Sequence, residues 1–216
     1  MSDQPKPSAT HVCLVLDRSG SMQAVHADAL GSVNTYIQTA KQDRALYEAR
    51  FSMITFSSDS VDTIRKDEMM ATVKPIGSEE YVCAGWTPLY DAIGRGIGLL
   101  DEALKGKHGK AILVVMTDGQ ENASKEFSHE SITSLIKARQ EAGWLVTFLG
   151  EGLDVAKQGV QIGTHVGRVA SYVGGAGLRR AGGVLAASSS RYAKSLDATF
   201  TQEERDALAG KNMTKK

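Results

Sequence analysis

Asp17, Ser19 and Ser21 occupy alternate positions of the segment Asp17-Arg18-Ser19-Gly20-Ser21. One carboxylate and two hydroxyls so close together make a compact, all-oxygen surface. That donor type suits a hard cation such as Mg²⁺, and Gly20 lets the chain bend sharply between the donors. The same residues also read as a polar turn in which Ser19 or Ser21 caps the following helix, and the segment alone leaves both readings open. Further along stand Thr87, in Gly85-Trp86-Thr87-Pro88-Leu89, and Asp118, in Thr117-Asp118-Gly119. Two aspartates balance a divalent cation, and neutral hydroxyls leave it electrophilic. An octahedral ion held this way keeps a position for an outside oxygen ligand.

The elements that must position these residues are legible as apolar runs. Val12 to Leu16, Ala111 to Met116 and Trp144 to Leu149 are nearly unbroken and read as strands buried on both faces. Asp17 and Asp118 each emerge where such a strand ends. Glu48 to Phe56 alternates like a strand, and Val61 to Arg65 reads as its antiparallel partner at a sheet edge. Residues 66–86 read as loop with a short helix near 67–72, and Val166 to Tyr172 as a weak final strand. Helical spacing runs over 23–43, from Thr87 as cap with Pro88 in the first turn, over 128–142 with Ser128 as cap, and over 154–162. Gly94, Gly96 and Gly98 lie inside a helical stripe and follow no strand, so close packing is the better reading than a phosphate loop. Gly174, Gly175 and Gly177 read as a loose link to a helix over 179–196. That helix covers the sheet with Val184, Leu185, Tyr192 and Leu196, and a short helix follows at 202–209.

Alternating apolar strands and helices indicate an α/β fold: a doubly wound, Rossmann-like, mostly parallel sheet with one antiparallel edge strand, flanked by helices. Ligands of such sheets sit outside the carboxyl ends of the strands. Asp17, Ser19, Ser21 and Asp118 share that end, and Thr87 opens a helix that must start from it.

Asp17, Ser19, Ser21, Thr87 and Asp118 together resemble the metal-ion-dependent adhesion site of von Willebrand factor A domains, whose pattern is Asp-x-Ser-x-Ser, a distant Thr, then Asp-Gly. The resemblance covers residues 10–172 and is closest to stand-alone bacterial and phage cytoplasmic versions. It implies a Mg²⁺ or Mn²⁺ site in which Ser19, Ser21 and Thr87 bind metal directly and Asp17 and Asp118 partly through water. It also implies a partner protein that supplies an Asp or Glu carboxylate. Intracellular members of the family work beside an ATPase, kinase, phosphatase or chelatase. On this reading residues 1–9 form a disordered N-terminus, 173–200 a helical extension packed on the domain, and 201–216 a polar tail.

Composition narrows the rest. Lys+Arg and Asp+Glu number 25 each over 216 residues, so no net charge draws the chain to nucleic acid or an acidic membrane. No signal-like stretch opens the sequence, and no window reaches the roughly 18–20 apolar residues of a membrane span. The expected compartment is cytoplasmic, with Cys13 a buried thiol and Cys83 in a loop. The rival function is a Mg²⁺-dependent phosphotransferase or phosphatase of haloacid-dehalogenase type. It needs a second aspartate two residues after the first, where Ser19 stands and cannot serve as acid or base. A binding module without catalytic residues is the preferred reading. Trp86 is either a rim for a ligand or buried support, and Arg18 either an aid to an acidic partner or a solvated side chain. Gln120, Glu121 and Asn122 either shape specificity or form plain loop. Asp91 either supports the site or favours its helix start. The five histidines have no ligand spacing.

Overall fold

The computed structural model describes residues 9–211. The expected disordered N-terminus therefore lies outside the described residues except for Ala9, and so does the end of the expected tail, 212–216. Six strands form one sheet: β1 (Ala9–Asp17), β2 (Arg50–Ser57), β3 (Ser60–Met69), β4 (Gly109–Thr117), β5 (Leu145–Glu151) and β6 (Val169–Tyr172), in the order β3-β2-β1-β4-β5-β6. All neighbours run parallel except β2 and β3. The fold is the mostly parallel α/β sheet with one antiparallel edge strand that the sequence pattern indicates.

Alternation along each strand explains the unbroken apolar runs. Leu14 and Leu16 of β1 point to one face, where they join α1 (His26–Gln42), α5 (Gly174–Ala193) and Leu208 of α6 (Gln202–Leu208). Cys13 and Val15 point to the other, against α2 (Leu89–Leu104), α3 (His129–Glu141) and α4 (Gly152–Gln161). Both faces are covered, so the central stretches Val12–Leu16 of β1 and Ala111–Met116 of β4 are wholly apolar, and buried polar residues appear only toward the strand ends. β1 lies between β2 and β4, the point where strand order reverses, and in sheets of this kind the crevice for ligands lies there, outside the carboxyl ends.

Four local expectations are corrected. The stretch read as a helix over 23–43 is a 3₁₀ turn (Gly20–Val25) followed by α1. β3 runs on to Met69 where a helix near 67–72 was expected, with only a 3₁₀ turn over Met70–Thr72. Its outer positions carry Arg65, Lys66 and Glu68, a charged edge that resists pairing with another chain. α5 starts at Gly174, so the glycines are not a link but its first turns. Close approach requires two glycines of this helix: a Cβ at Gly177 would run into the Leu208 carbonyl, and one at Gly182, further along, into the Ser32 carbonyl of α1. α5 also ends at Ala193, leaving Leu196 exposed rather than on the sheet. The close-packing reading of the α2 glycines matches Gly94, which faces the Phe127 ring, and Gly96, which faces Leu113 and Val15, but Gly98 faces open space.

Candidate metal centre

The end of β1 carries Asp17 fully into the interior, at 0 % exposure. Its carboxylate accepts from the Thr117 hydroxyl (2.5 Å) and the Ser19 amide (2.7 Å). The Ser19 and Ser21 hydroxyls are 3.2 Å apart, and Ser21 donates to Asp118 Oδ1 (2.7 Å). Four of the five sequence-predicted residues thus form one hydrogen-bonded chain across the crevice between β1 and β4. Thr87, buried, completes the group from the side: Gly119 approaches it so closely that a Cβ there would lie 3.0 Å from Thr87 Oγ1.

The loops that hold these atoms are stitched by main chain. Gly20 N donates to Gly85 O and Ala84 N to Arg18 O, binding the first loop to the segment before Thr87. Gly85 there has φ +73°, in the left-handed region, and the Ser58 side chain fills the space where its Cβ would stand. Two buried tyrosines pin the strand ends: Tyr81 donates to Asp17 O (2.6 Å) and Tyr172 to Thr117 O (3.2 Å). Sequence reasoning missed both, along with Thr117. The available signal was their position, Thr117 directly before Asp118 and each tyrosine next to a strand end or glycine-rich loop.

Electrostatically the centre is short of positive charge. Burial pushes the Asp17 carboxyl up to about 6 despite hydrogen bonds from Thr117 and Ser19, and the Asp118 charge adds to the rise. Burial raises Asp118 too, against its bond from Ser21, with Glu151 contributing. Neither aspartate forms an ion pair among the described residues. The donor set is entirely oxygen, two carboxylates and three hydroxyls, which fits Mg²⁺ or Mn²⁺ and not a thiolate- or imidazole-seeking metal. No group of three or more His, Cys, Asp or Glu side chains suited to a metal gathers among the described residues.

The structure decides between the alternatives left open at neighbouring residues. Arg18 neither reaches toward the site nor is solvated. Its guanidinium donates to Ser60 Oγ (2.5 Å), Asp62 Oδ2 (3.0 Å) and Val82 O (3.3 Å), tying the metal loop to β3. Trp86 is 68 % exposed, so it rims the face and supports no core. Asp91 accepts from the amides of Lys125, Glu126 and Phe127 and so organises the loop after Asp118. The thiols of Cys13 and Cys83 are free.

The sequence model of the von Willebrand factor type A domain matches residues 11–172, and the chain belongs to that family. Its structure is similar to the pilus adhesin SpaC of Lactobacillus rhamnosus GG, with TM-score 0.71 and 14 % identity over 87 % of this chain and 30 % of the adhesin. It is similar to the vWF domain of the type V pilus tip protein Mfa5 of Porphyromonas gingivalis, with TM-score 0.64 and 10 % identity over 84 % and 95 % of the two chains. It is also similar to the manganese-loaded TRAP protein of Plasmodium vivax, with TM-score 0.53 and 15 % identity over 72 % and 63 %. At these identities the likeness is one of fold, and the chain spans under a third of the SpaC adhesin. No curated protein matches the sequence. No helix among the described residues is long and apolar enough to cross a membrane.

Proposed function

We propose that the chain is a metal-dependent protein-binding module. Ser19, Ser21 and Thr87, with Asp17 and Asp118 directly or through water, would hold one Mg²⁺ or Mn²⁺ in the crevice. The metal, when bound, supplies an electrophilic position that takes an Asp or Glu carboxylate from a partner protein. The observation that carries this reading is the convergence of a buried and a half-buried aspartate, neither ion-paired among the described residues, with three hydroxyls at the switch point of the sheet. The family membership and the manganese-loaded TRAP structure support it. The exposed Trp86 ring beside Thr87 offers a rim against which such a partner could pack. We place the protein in the cytoplasm, where its two free thiols stay reduced, and where an ATPase, kinase or phosphatase would be a suitable partner.

The rival reading, a phosphotransferase of haloacid-dehalogenase type, lacks its second aspartate. The position two residues after Asp17 holds Ser19, a hydroxyl bonded to its neighbours and lacking acid or base character near neutral pH. Calorimetric titration with Mn²⁺ on wild type and Asp17→Ala tests the proposal. Saturable binding to one site in wild type and none in the variant is expected; equal binding in both would sink it. A partner captured from lysate should be released by EDTA and lost with Thr87→Ala.

A further inference from the structure

Thr87 stands two residues before α2, one short of the cap position that the sequence pattern assigns to it. It does not cap the helix: the N-cap is Pro88, and no side chain of the cap residue bonds the first turn. The capping is done from another loop. Tyr90 N donates to Glu121 Oε2 (2.9 Å) and Ser124 Oγ (3.0 Å), and Asp91 N to Ser124 Oγ (3.1 Å). Glu121 is itself locked by the amides of Ala123 and Ser124 and anchored to α4 through its own amide on Gln158 Oε1 (2.8 Å). Thr87 is then gripped at two points by Asn122: Thr87 N donates to Asn122 Oδ1 (2.8 Å), and Asn122 N donates to Thr87 O (3.1 Å).

Asn122 lies four residues after Asp118, on the same loop. The clasp therefore joins two otherwise separate parts of the proposed centre and holds the Thr87 hydroxyl against Gly119, the residue after Asp118. The helix start is satisfied by Glu121 and Ser124, so the Thr87 hydroxyl is released from capping and left to face the crevice.

We propose that Asn122 is a positioning residue of the site, acting through Thr87, with Glu121 and Ser124 taking over the cap that Thr87 would otherwise provide. The inference rests on the metal-binding reading above and goes beyond it. Groups that orient metal ligands change metal affinity by about 10–100-fold when removed. Mn²⁺ titration of the full chain should show Asn122→Leu binding about tenfold more weakly than wild type. Asn122→Asp keeps the acceptor for the Thr87 amide and should bind at least as well as wild type. In a Thr87→Ala background, Asn122→Leu should change affinity no further, because the group it positions is gone. Amide hydrogen exchange at Thr87, read without metal, should quicken in Asn122→Leu and not in Asn122→Asp.

A lower melting temperature with unchanged Mn²⁺ affinity in Asn122→Leu would reduce the clasp to a structural role and overturn the proposal. So would full additivity of the two substitutions. The two readings fail separately. A wild type that takes no Mn²⁺ removes the metal centre and this inference with it. A wild type that binds beside an Asn122→Leu variant that binds equally removes only the inference.

Discussion

The two ends of the central strands handle carboxylates in opposite ways. At the amino end, Asp67 is held by Arg50, with Nη2 at 3.0 Å and Nε at 3.1 Å, and His11 Nδ1 lies 3.6 Å away. Its amide rests on Ser52 Oγ. At the carboxyl end, Asp17 is more deeply buried, yet it and Asp118 have only hydroxyls and amides as partners. A buried charge without a counter-charge is strongly unfavourable, whereas one with a partner can be neutral in the balance. The amino end is therefore complete as it stands and does structural work. The carboxyl end has no such partner, and on the proposed reading a bound cation supplies it; that contrast, rather than the number of acids, separates the two ends.

The comparison breaks most visibly on metal. With Mn²⁺ at a hundredfold over its dissociation constant, linkage stabilises the native state by about 2.7 kcal/mol. In a chain of this length that raises the melting temperature by about 5–10 °C. Asp17→Asn should abolish that rise. Without metal the same variant should be more stable than wild type, on the order of 2 kcal/mol, because it removes a buried charge whose carboxyl is raised to about 6. The amide still offers Ser19 an acceptor. Denaturant melts with EDTA and with Mn²⁺ read both effects; a variant less stable than wild type in EDTA would mean that the carboxylate is already compensated.

The central frame of this molecule was legible because each inner strand is covered on both faces. Val12 to Leu16 divides between two cores, with Leu14 on the α1 side and Val15 on the α2 side, so the run contains no polar residue to obscure it. Asp17 and Asp118 stood out for the same reason, as the first charges after such runs. What was not legible depends on partners distant in sequence. Arg18 is fixed by Ser60 and Asp62, 42 and 44 residues away, and nothing in its own loop announces that. Thr87 looked like a cap because its true substitutes, Glu121 and Ser124, come from the other side of β4. The Gly174-Gly175 pair looked like a link because glycine breaks isolated helices. The structure shows a different reason at each: Gly174 takes φ +55°, and a Cβ at Gly175 would meet the Asp28 carboxylate of α1.

The amino-end cluster sharpens the contrast through pH. Burial lowers the His11 pKa below its ordinary value, against the pull of Asp67, with Lys107 and Arg50 adding to the fall. The folded state thus binds the proton less readily than the unfolded state. The contribution of His11 to stability is full above the unfolded pKa of about 6.5 and declines as pH falls toward the folded pKa. Denaturation midpoints at pH 7.5 and 5.5, taken in EDTA, should fall more for wild type than for His11→Gln. Equal falls would show that Asp67 compensates the ring in both states.

The smallest effect is the most direct comparison, because it repeats the Asp-to-Asn change at the other end. Asp67 sits at φ +49°, a conformation asparagine tolerates as well as aspartate does. Asp67→Asn therefore leaves the backbone unstrained and the Ser52 bond to its amide intact. It removes only the charge that Arg50 and His11 face. The Asp67 side chain is 45 % exposed, so screening limits the loss to about 1 kcal/mol or less. The sign is the test. Removing a carboxylate charge should weaken the metal-free protein at Asp67 and strengthen it at Asp17. The His11 pKa should fall further in Asp67→Asn, since the group that raises it is gone, and proton NMR of the ring reads that directly. Two substitutions of the same sign would mean that the ends of the sheet do not differ in how they are neutralised, and the carboxyl end would lose its strongest claim to a cation.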